Sequence, residues 1–396
     1  MSKIFDFLDW RGDLSQTACP FSEVDIACFT QLIYLDFNEL LLDRNSSLTI
    51  AQLFNKYEAL NVIEKNVGLI ISNKAKYMFR EMARLPRYKN LVISDFVCEK
   101  CHEKTKQFRA FSVKLNHNEK LVIFSGTDDS IVGWEENFSM TYVDSVASAK
   151  RSVSYLKNVA NSVDKLIIAG HSKGGYLAMY SLLYSSPSIA DKIQAVYAFD
   201  SPGFTEELSK KKKEKLSHKI FEFAPQNSVF GRLFDHYGSM KIVQSSFKGM
   251  FQHDIFSWDI KANKFVLTPN FSKIGDAVNK KTNDILSSMT IDDKKRLATI
   301  MFNVLYATGA KTLTELSVKK LLLIKCYLKL NADDKKFLKK ILVWDFFRDK
   351  NVRTLFMMDM SDKEAQAIFK NSKKYAVLDA KLAKQKDENT KSKRSK

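Results

Sequence analysis

The apolar run Lys165-Leu-Ile-Ile-Ala169 passes directly into Gly170-His-Ser-Lys-Gly-Gly175, and a helical pattern follows to about Tyr184. A short unbroken apolar run between turn signals reads as a strand buried on both faces, the kind found in parallel sheets. Gly170-His-Ser-Lys-Gly174 fits G-x-S-x-G, and the strand before it and helix after it are the context of a nucleophile elbow. There a serine on a strained turn projects its hydroxyl above the sheet, and side chains at positions 170 and 174 would collide with neighbouring elements. The same residues also fit a glycine-rich turn with an incidental serine, or a phosphate-binding turn.

Around this unit the chain alternates strands and helices. Strand candidates precede it at Leu91 to Val97, Phe108 to Leu115 and Lys120 to Phe124, and a helical stretch runs from roughly Thr141 to Ser162. After it come Ile193 to Phe199, Lys219 to Phe223, Lys241 to Gln244 and Lys264 to Leu267. Such alternation implies right-handed crossovers on a mostly parallel central sheet, an α/β fold. Apolar steps of three and four residues through Ile26, Phe29, Thr30, Ile33, Tyr34 and Phe37 predict helices between Phe21 and Arg84, and Pro86 ends them. The expected organisation is a helical N-terminal cap over 1–88, an α/β core over 89–273, a helical C-terminal region over 274–379 and a disordered basic tail over 380–396.

The chain has 396 residues, of which 45% are hydrophobic and 12% aromatic, enough apolar material for a sizeable core. Its formal charge of +18 is densest in Lys210-Lys-Lys-Lys213 and from Lys373 to Lys396, and it suits acidic surfaces: lipid head groups, nucleic acid or an acidic protein. No RNA-recognition signature, zinc finger or basic zipper accompanies the charge, so no specific nucleic-acid partner is expected. Acidic residues interrupt Met1-Ser-Lys-Ile-Phe-Asp-Phe-Leu-Asp-Trp10 where a signal peptide needs an apolar stretch, no run reaches membrane-spanning length, and five cysteines fit reduced thiols. A cytoplasmic protein is expected.

Upstream of the elbow, Leu121-Val-Ile-Phe-Ser-Gly-Thr-Asp-Asp129 is an apolar strand ending in Ser125-Gly126-Thr127, with Gly133-Trp-Glu-Glu-Asn137 beyond it. With the Gly-His-Ser-Lys-Gly-Gly segment, this resembles the lipase-like α/β hydrolases related to the class 3 lipases. More closely it resembles a bacterial family of uncharacterised lipase-like proteins, through Trp10-Arg-Gly-Asp-Leu14 and Phe21-Ser-Glu-Val-Asp25. The resemblance covers roughly residues 6 to 260 and implies an α/β-hydrolase fold. In those proteins the strand usually ends in Arg-Gly-Thr, whose Thr or Ser contributes to an oxyanion hole. Thr127 matches that position, and Ser125 replaces the arginine. Gly126-Thr127 also fits a plain turn after a strand. The second oxyanion donor would be the backbone N–H of Lys173, directly after the serine. The Lys173 side chain is expected to point outward into solvent; a cation placed near this helix N-terminus would otherwise favour an anionic substrate.

A serine hydroxyl needs a base, normally a histidine oriented by a carboxylate, and α/β hydrolases place them in the order Ser, acid, His. Three histidines follow Ser172: His218 among lysines, His236 in the irregular Phe234-Asp-His-Tyr-Gly238, and His253 in Gln252-His-Asp-Ile-Phe-Ser-Trp258. His253 occupies a loop after a strand, as a base should, and its segment also matches the resembling family. For the acid, Asp200 in Phe199-Asp-Ser-Pro-Gly-Phe204 directly follows a strand, and D-x-P-G is similarly placed in that family. The class 3 lipases take their acid after the next strand, where this chain has Ala224-Pro-Gln-Asn-Ser228 and no carboxylate. Asp235 and Asp254 stand behind Asp200 as candidates, and Asp200 also fits a capping role at a proline turn.

Cys98-Glu-Lys-Cys-His102 matches a c-type haem attachment motif, but that use needs export, and a loop between two strands is the expected setting. Leu321-Leu-Leu-Ile324 and Ile341-Leu-Val-Trp-Asp-Phe-Phe347 supply apolar stripes that suit packed core or a membrane surface. The expected protein is a serine hydrolase of acyl esters with Ser172, His253 and Asp200 as its triad, needing no metal or cofactor. Its partners would be a small-molecule or lipid acyl ester and, as a further candidate, an anionic membrane surface. The alternative is an inactive hydrolase-like scaffold that binds acidic partners or a membrane surface through its basic ends.

Overall fold

The computed structural model describes residues 2–41, 46–60, 74–205, 214 and 217–341. The lysine run at 210–213, the stripe beyond Ile341 and the basic tail lie outside the described residues.

The centre is an eight-stranded sheet in the order β1 to β8: Leu48–Thr49, Val92–Cys101, Lys106–Lys114, Glu119–Phe124, Lys165–His171, Ile193–Phe199, Ile220–Pro225 and Ser239–Val243. The first four strands are joined antiparallel and β4 through β8 are parallel. A mostly parallel sheet with helices on both faces, carrying a strand-turn-helix elbow at β5, is the α/β-hydrolase fold. The fold expected from alternation is therefore present.

Period-two alternation assigns each strand's side chains to two cores. On β7, Ile220 enters the core beneath the crossover helices, whereas Phe221 and Phe223 face the other way. That second face is covered by helices α1 (Ile4–Arg11), α2 (Glu23–Leu32), α3 (Ile50–Ala59) and α4 (Lys74–Arg84), whose Phe29, Leu32, Phe54 and Phe79, with Phe37 from the segment after α2, join the core on that side. Asp25 of α2 fixes the helices to one another: fully buried, it accepts Arg87 Nε at 2.6 Å, Arg87 Nη2 at 2.8 Å and Tyr88 Oη at 2.6 Å. An ion pair this deeply buried is tolerable because every carboxylate lone pair facing the protein is used.

Two local expectations are corrected. The helix read as Thr141 to Ser162 spans Ala147–Ala160 (α6), and a separate helix, α5 (Ile131–Ser139), precedes it. Cys98 and Cys101 lie within strand β2, and only His102 belongs to the turn after it. Helices α7 (Lys173–Tyr184) and α8 (Pro187–Ala190) follow the elbow, and beyond the sheet come α9 (Lys273–Ser288), α10 (Ile291–Ala307), α11 (Leu313–Val318), α12 (Lys320–Leu328) and α13 (Ala332–Ile341). Ala298 and Phe302 of α10 pack against Ile131, Trp134 and Phe138 of α5, so these helices sit beside the segment that follows β4.

No helix among the described residues is long and apolar enough to cross a membrane.

Candidate active site

Strand β5 delivers Ser172 in an unusual backbone conformation, φ 56° and ψ −131°, at the N-cap of α7. A non-glycine residue there costs of the order of 1–3 kcal/mol and persists only where the surroundings impose it. The surroundings do so here: a Cβ on Gly170 would lie 2.1 Å from the Gly174 backbone, and one on Gly174 would lie 2.2 Å from the carbonyl oxygen of Phe124. The strand end, the turn and β4 approach so closely that only glycine fits at either position.

Asp200 and His253 meet. Asp200 is the first residue beyond β6, has φ 44° and is 1% exposed. Its Oδ2 lies 2.6 Å from His253 Nδ1, while its Oδ1 accepts the Gly231 N–H at 3.0 Å and the hydroxyl of Ser228. His253 ends a short 3₁₀ helix, Gly249–His253, and is 5% exposed, with the Phe230 ring 4.5 Å from its own between centroids. Because a carboxylate can only accept, His253 Nδ1 carries the hydrogen of this contact, and Nε2 is turned away from Asp200. Ser228 belongs to Ala224-Pro-Gln-Asn-Ser228, so the loop after β7 contributes a hydroxyl to the carboxylate that emerges from β6.

The other candidates are elsewhere engaged. His236 Nδ1 pairs with Glu222 Oε2 at 2.5 Å, and His218 is exposed. Asp235 is exposed, its backbone paired with Phe204, and Asp254 caps the next 3₁₀ turn through Phe256 N at 3.0 Å.

Thr127 follows β4. Its Oγ1 is buried with no hydrogen-bond partner among the described residues, and its Cγ2 lies 3.0 Å from where a Cβ on Gly133 would be. Buried hydroxyls are normally satisfied by protein or water, so this one keeps its hydrogen-bonding capacity unused by the described residues. Gly126, before it, stands close to the elbow: a Cβ there would come within 3.2 Å of the Ser172 Cβ. Asp128, after it, is pulled down to about 2: burial opposes its charge, but Lys100 at 2.7 Å, Ser130 and Arg109 outweigh that cost. Ser125, standing where the resembling proteins have arginine, is buried and donates to the Gly126 carbonyl at 3.0 Å. A buried arginine does reach this strand end, from β3: Arg109 Nη1 donates to the carbonyls of Ile33 and Tyr34, each at 3.1 Å.

Lys173 corrects an expectation. Its side chain is 1% exposed rather than solvated, and Nζ donates to Glu136 Oε2 at 2.8 Å, Gln107 Oε1 at 2.7 Å and Gln107 O at 2.9 Å. At the first position of α7 its backbone N–H has no intrahelical acceptor, as for any first-turn residue. His171, the last residue of β5, was not singled out from the sequence. Its ring centroid lies 4.3 Å from that of His253, and burial together with the facing His253 pushes its pKa well down, leaving it neutral.

No curated protein matches the sequence. Among solved structures the chain is similar to the Rhizomucor miehei lipase in its native propeptide complex at 15% identity and a TM-score of 0.31, covering 38% of this chain and 56% of that one. It is also similar to M37 lipase (12% identity, TM-score 0.33, 54% and 69% covered) and to a triacylglycerol lipase from Penicillium expansum (13%, 0.25, 45% and 82%). The chain thus spans just over half the length of the Rhizomucor miehei lipase. The family model described as Mbeg1-like matches residues 82–303, the stretch holding β2 through β8, the elbow and both members of the carboxylate–histidine pair, and by that match over more than half its length the chain belongs to the Mbeg1-like family.

Proposed function

We propose that the chain is a serine hydrolase that cleaves acyl esters, lipid-like or other carboxylic, through an acyl-enzyme intermediate. Ser172 Oγ attacks the acyl carbonyl while its proton passes to His253 Nε2, and Asp200 stabilises the resulting imidazolium. The oxyanion takes hydrogen bonds from the Lys173 N–H and the Thr127 hydroxyl. Collapse breaks the ester C–O bond, and His253 returns the proton to the departing alcohol. Water then attacks the acyl-enzyme with the same base, releasing the carboxylic acid and Ser172.

The observation that carries this reading is the buried 2.6 Å contact of His253 Nδ1 with Asp200 Oδ2, since it orients an imidazole whose other nitrogen is free to take a proton. The strained φ of Ser172 supports it, because an incidental serine in a glycine-rich turn has no reason to bear that strain. A series of para-nitrophenyl esters of increasing chain length tests the reading. Hydrolysis by the wild type that Ser172→Ala abolishes supports it; equal rates for the two proteins contradict it.

A surface-binding role without turnover has one observation in its favour: α12 leaves Leu321 77% and Leu328 62% exposed beside Lys325 and Lys329. It predicts retention on anionic vesicles by a wild type that hydrolyses none of these esters.

A further inference from the structure

Tyr34, just beyond α2 and 5% exposed, reaches the elbow from the N-terminal helices. Its Oη lies 3.0 Å from His171 Nδ1 and occupies the space a Cβ on Gly126 would need, 2.1 Å away. His171 in turn places Nε2 2.9 Å from the carbonyl oxygen of His253. The two contacts fix the protons. A carbonyl can only accept, so Nε2 carries the hydrogen; a neutral ring then has its lone pair on Nδ1, and Tyr34 donates to it. One hydroxyl–imidazole–carbonyl chain thus joins the N-terminal helices, the β4 end at Gly126, the elbow and the backbone of the residue that pairs with Asp200.

We propose that Tyr34 and His171 are a positioning pair for the hydrolase reading above, holding His253 against Ser172 and keeping the His171 imidazole out of the proton transfer. The second role follows from the first. An imidazole adjacent in sequence to Ser172, with its ring 4.3 Å from that of His253, would otherwise be a competing base. With Nδ1 occupied by the Tyr34 hydroxyl and Nε2–H given to the His253 carbonyl, neither nitrogen can take a proton from the serine. The ring also stays uncharged beside the imidazolium that forms on His253 during turnover.

The test combines kinetics with a direct reading of the tautomer. Nitrogen-15 spectra of wild type should show His171 protonated at Nε2, and Tyr34→Phe should shift it toward a mixture with the Nδ1–H form. For para-nitrophenyl ester hydrolysis, Tyr34→Phe should lower kcat by about tenfold with KM nearly unchanged, the loss expected for one orienting hydrogen bond. His171→Gln, which can still donate to the His253 carbonyl, should keep more activity than His171→Leu. Circular dichroism confirms that each variant is folded, and a misfolded His171→Leu leaves the Tyr34→Phe comparison standing.

An Nδ1–H His171 in wild type overturns the proposal whether or not the protein is active. A wild type that hydrolyses esters beside a folded Tyr34→Phe with the same kcat overturns the pair alone and leaves the hydrolase reading intact. A wild type that neither hydrolyses esters nor reacts with a fluorophosphonate overturns the hydrolase reading, and the positioning role with it.

Discussion

Lys173 Nζ lies 2.8 Å from Glu136 Oε2, and both side chains are 1% exposed. Glu136 also accepts the N–H groups of Gln107 at 3.1 Å and Ser148 at 2.8 Å, so one carboxylate ties α5, β3 and the start of α6 to the residue after Ser172. Removing one partner of a buried pair leaves an uncompensated charge, and Lys173→Met should destabilise the protein by about 3–5 kcal/mol. Adding Glu136→Gln removes that charge while keeping an oxygen acceptor, so the double variant should recover much of the loss. Urea unfolding of the two single variants and the double variant measures the coupling.

Asp200 is predicted to be indispensable to turnover rather than to folding. Asp200→Asn keeps the shape but presents an amide to His253 Nδ1, which favours the wrong tautomer, and kcat should fall by roughly 10⁴-fold, as for the corresponding change in the serine protease triad. Asp235→Asn and Asp254→Asn should stay near wild type. Steady-state ester hydrolysis by the three variants decides which carboxylate serves.

Thr127 offers a buried hydroxyl with no hydrogen-bond partner among the described residues. Losing one oxyanion donor typically costs about 10²–10³-fold in kcat, so Thr127→Val should show that loss with KM little changed, and Thr127→Ser should restore most of the rate. A Thr127→Val enzyme with unchanged kcat would remove the hydroxyl from the mechanism.

His171 gives the protein a pH dependence of known sign. Burial first, and the facing His253 second, hold its folded-state pKa well below the ordinary 6.5. The unfolded chain therefore takes up a proton near 6.5 that the folded protein refuses. The stability linked to this group is fully present above about pH 6.5 and is lost progressively as the pH falls below it. His171→Gln should flatten the fall in unfolding free energy between pH 6.5 and 5 by about one proton, or ~1.4 kcal/mol per pH unit, in urea titrations across that range.

What the sequence made legible and what it hid divide along physical lines. The Lys165–His171 strand and its elbow were readable because an apolar run and two glycines at fixed spacing are local signals. Strands β2 to β8 were readable because β-branched and aromatic runs alternate with helical patterns, whereas the two-residue β1 lies in a stretch read as helical. Helix α5 was missed because the side chain that anchors it, Glu136, is a buried carboxylate, and a sequence pattern assigns carboxylates to solvent. Lys173 was read outward for the same reason: its partners lie 37 and 66 positions away and leave no mark near it in sequence. His171, Tyr34 and Ser228 act through contacts between elements far apart in the chain, and nothing in their own segments distinguishes them from ordinary core or turn residues.

The central claim is that Ser172 is a nucleophile activated by the His253–Asp200 pair. Intact-mass spectrometry after exposure to a fluorophosphonate, followed by peptide mapping, tests it most directly. A single phosphonyl adduct on Ser172 is predicted, absent from Ser172→Ala and strongly slowed in His253→Ala. A folded wild-type protein that gains no adduct, or gains it equally when Ser172 is alanine, would contradict the claim.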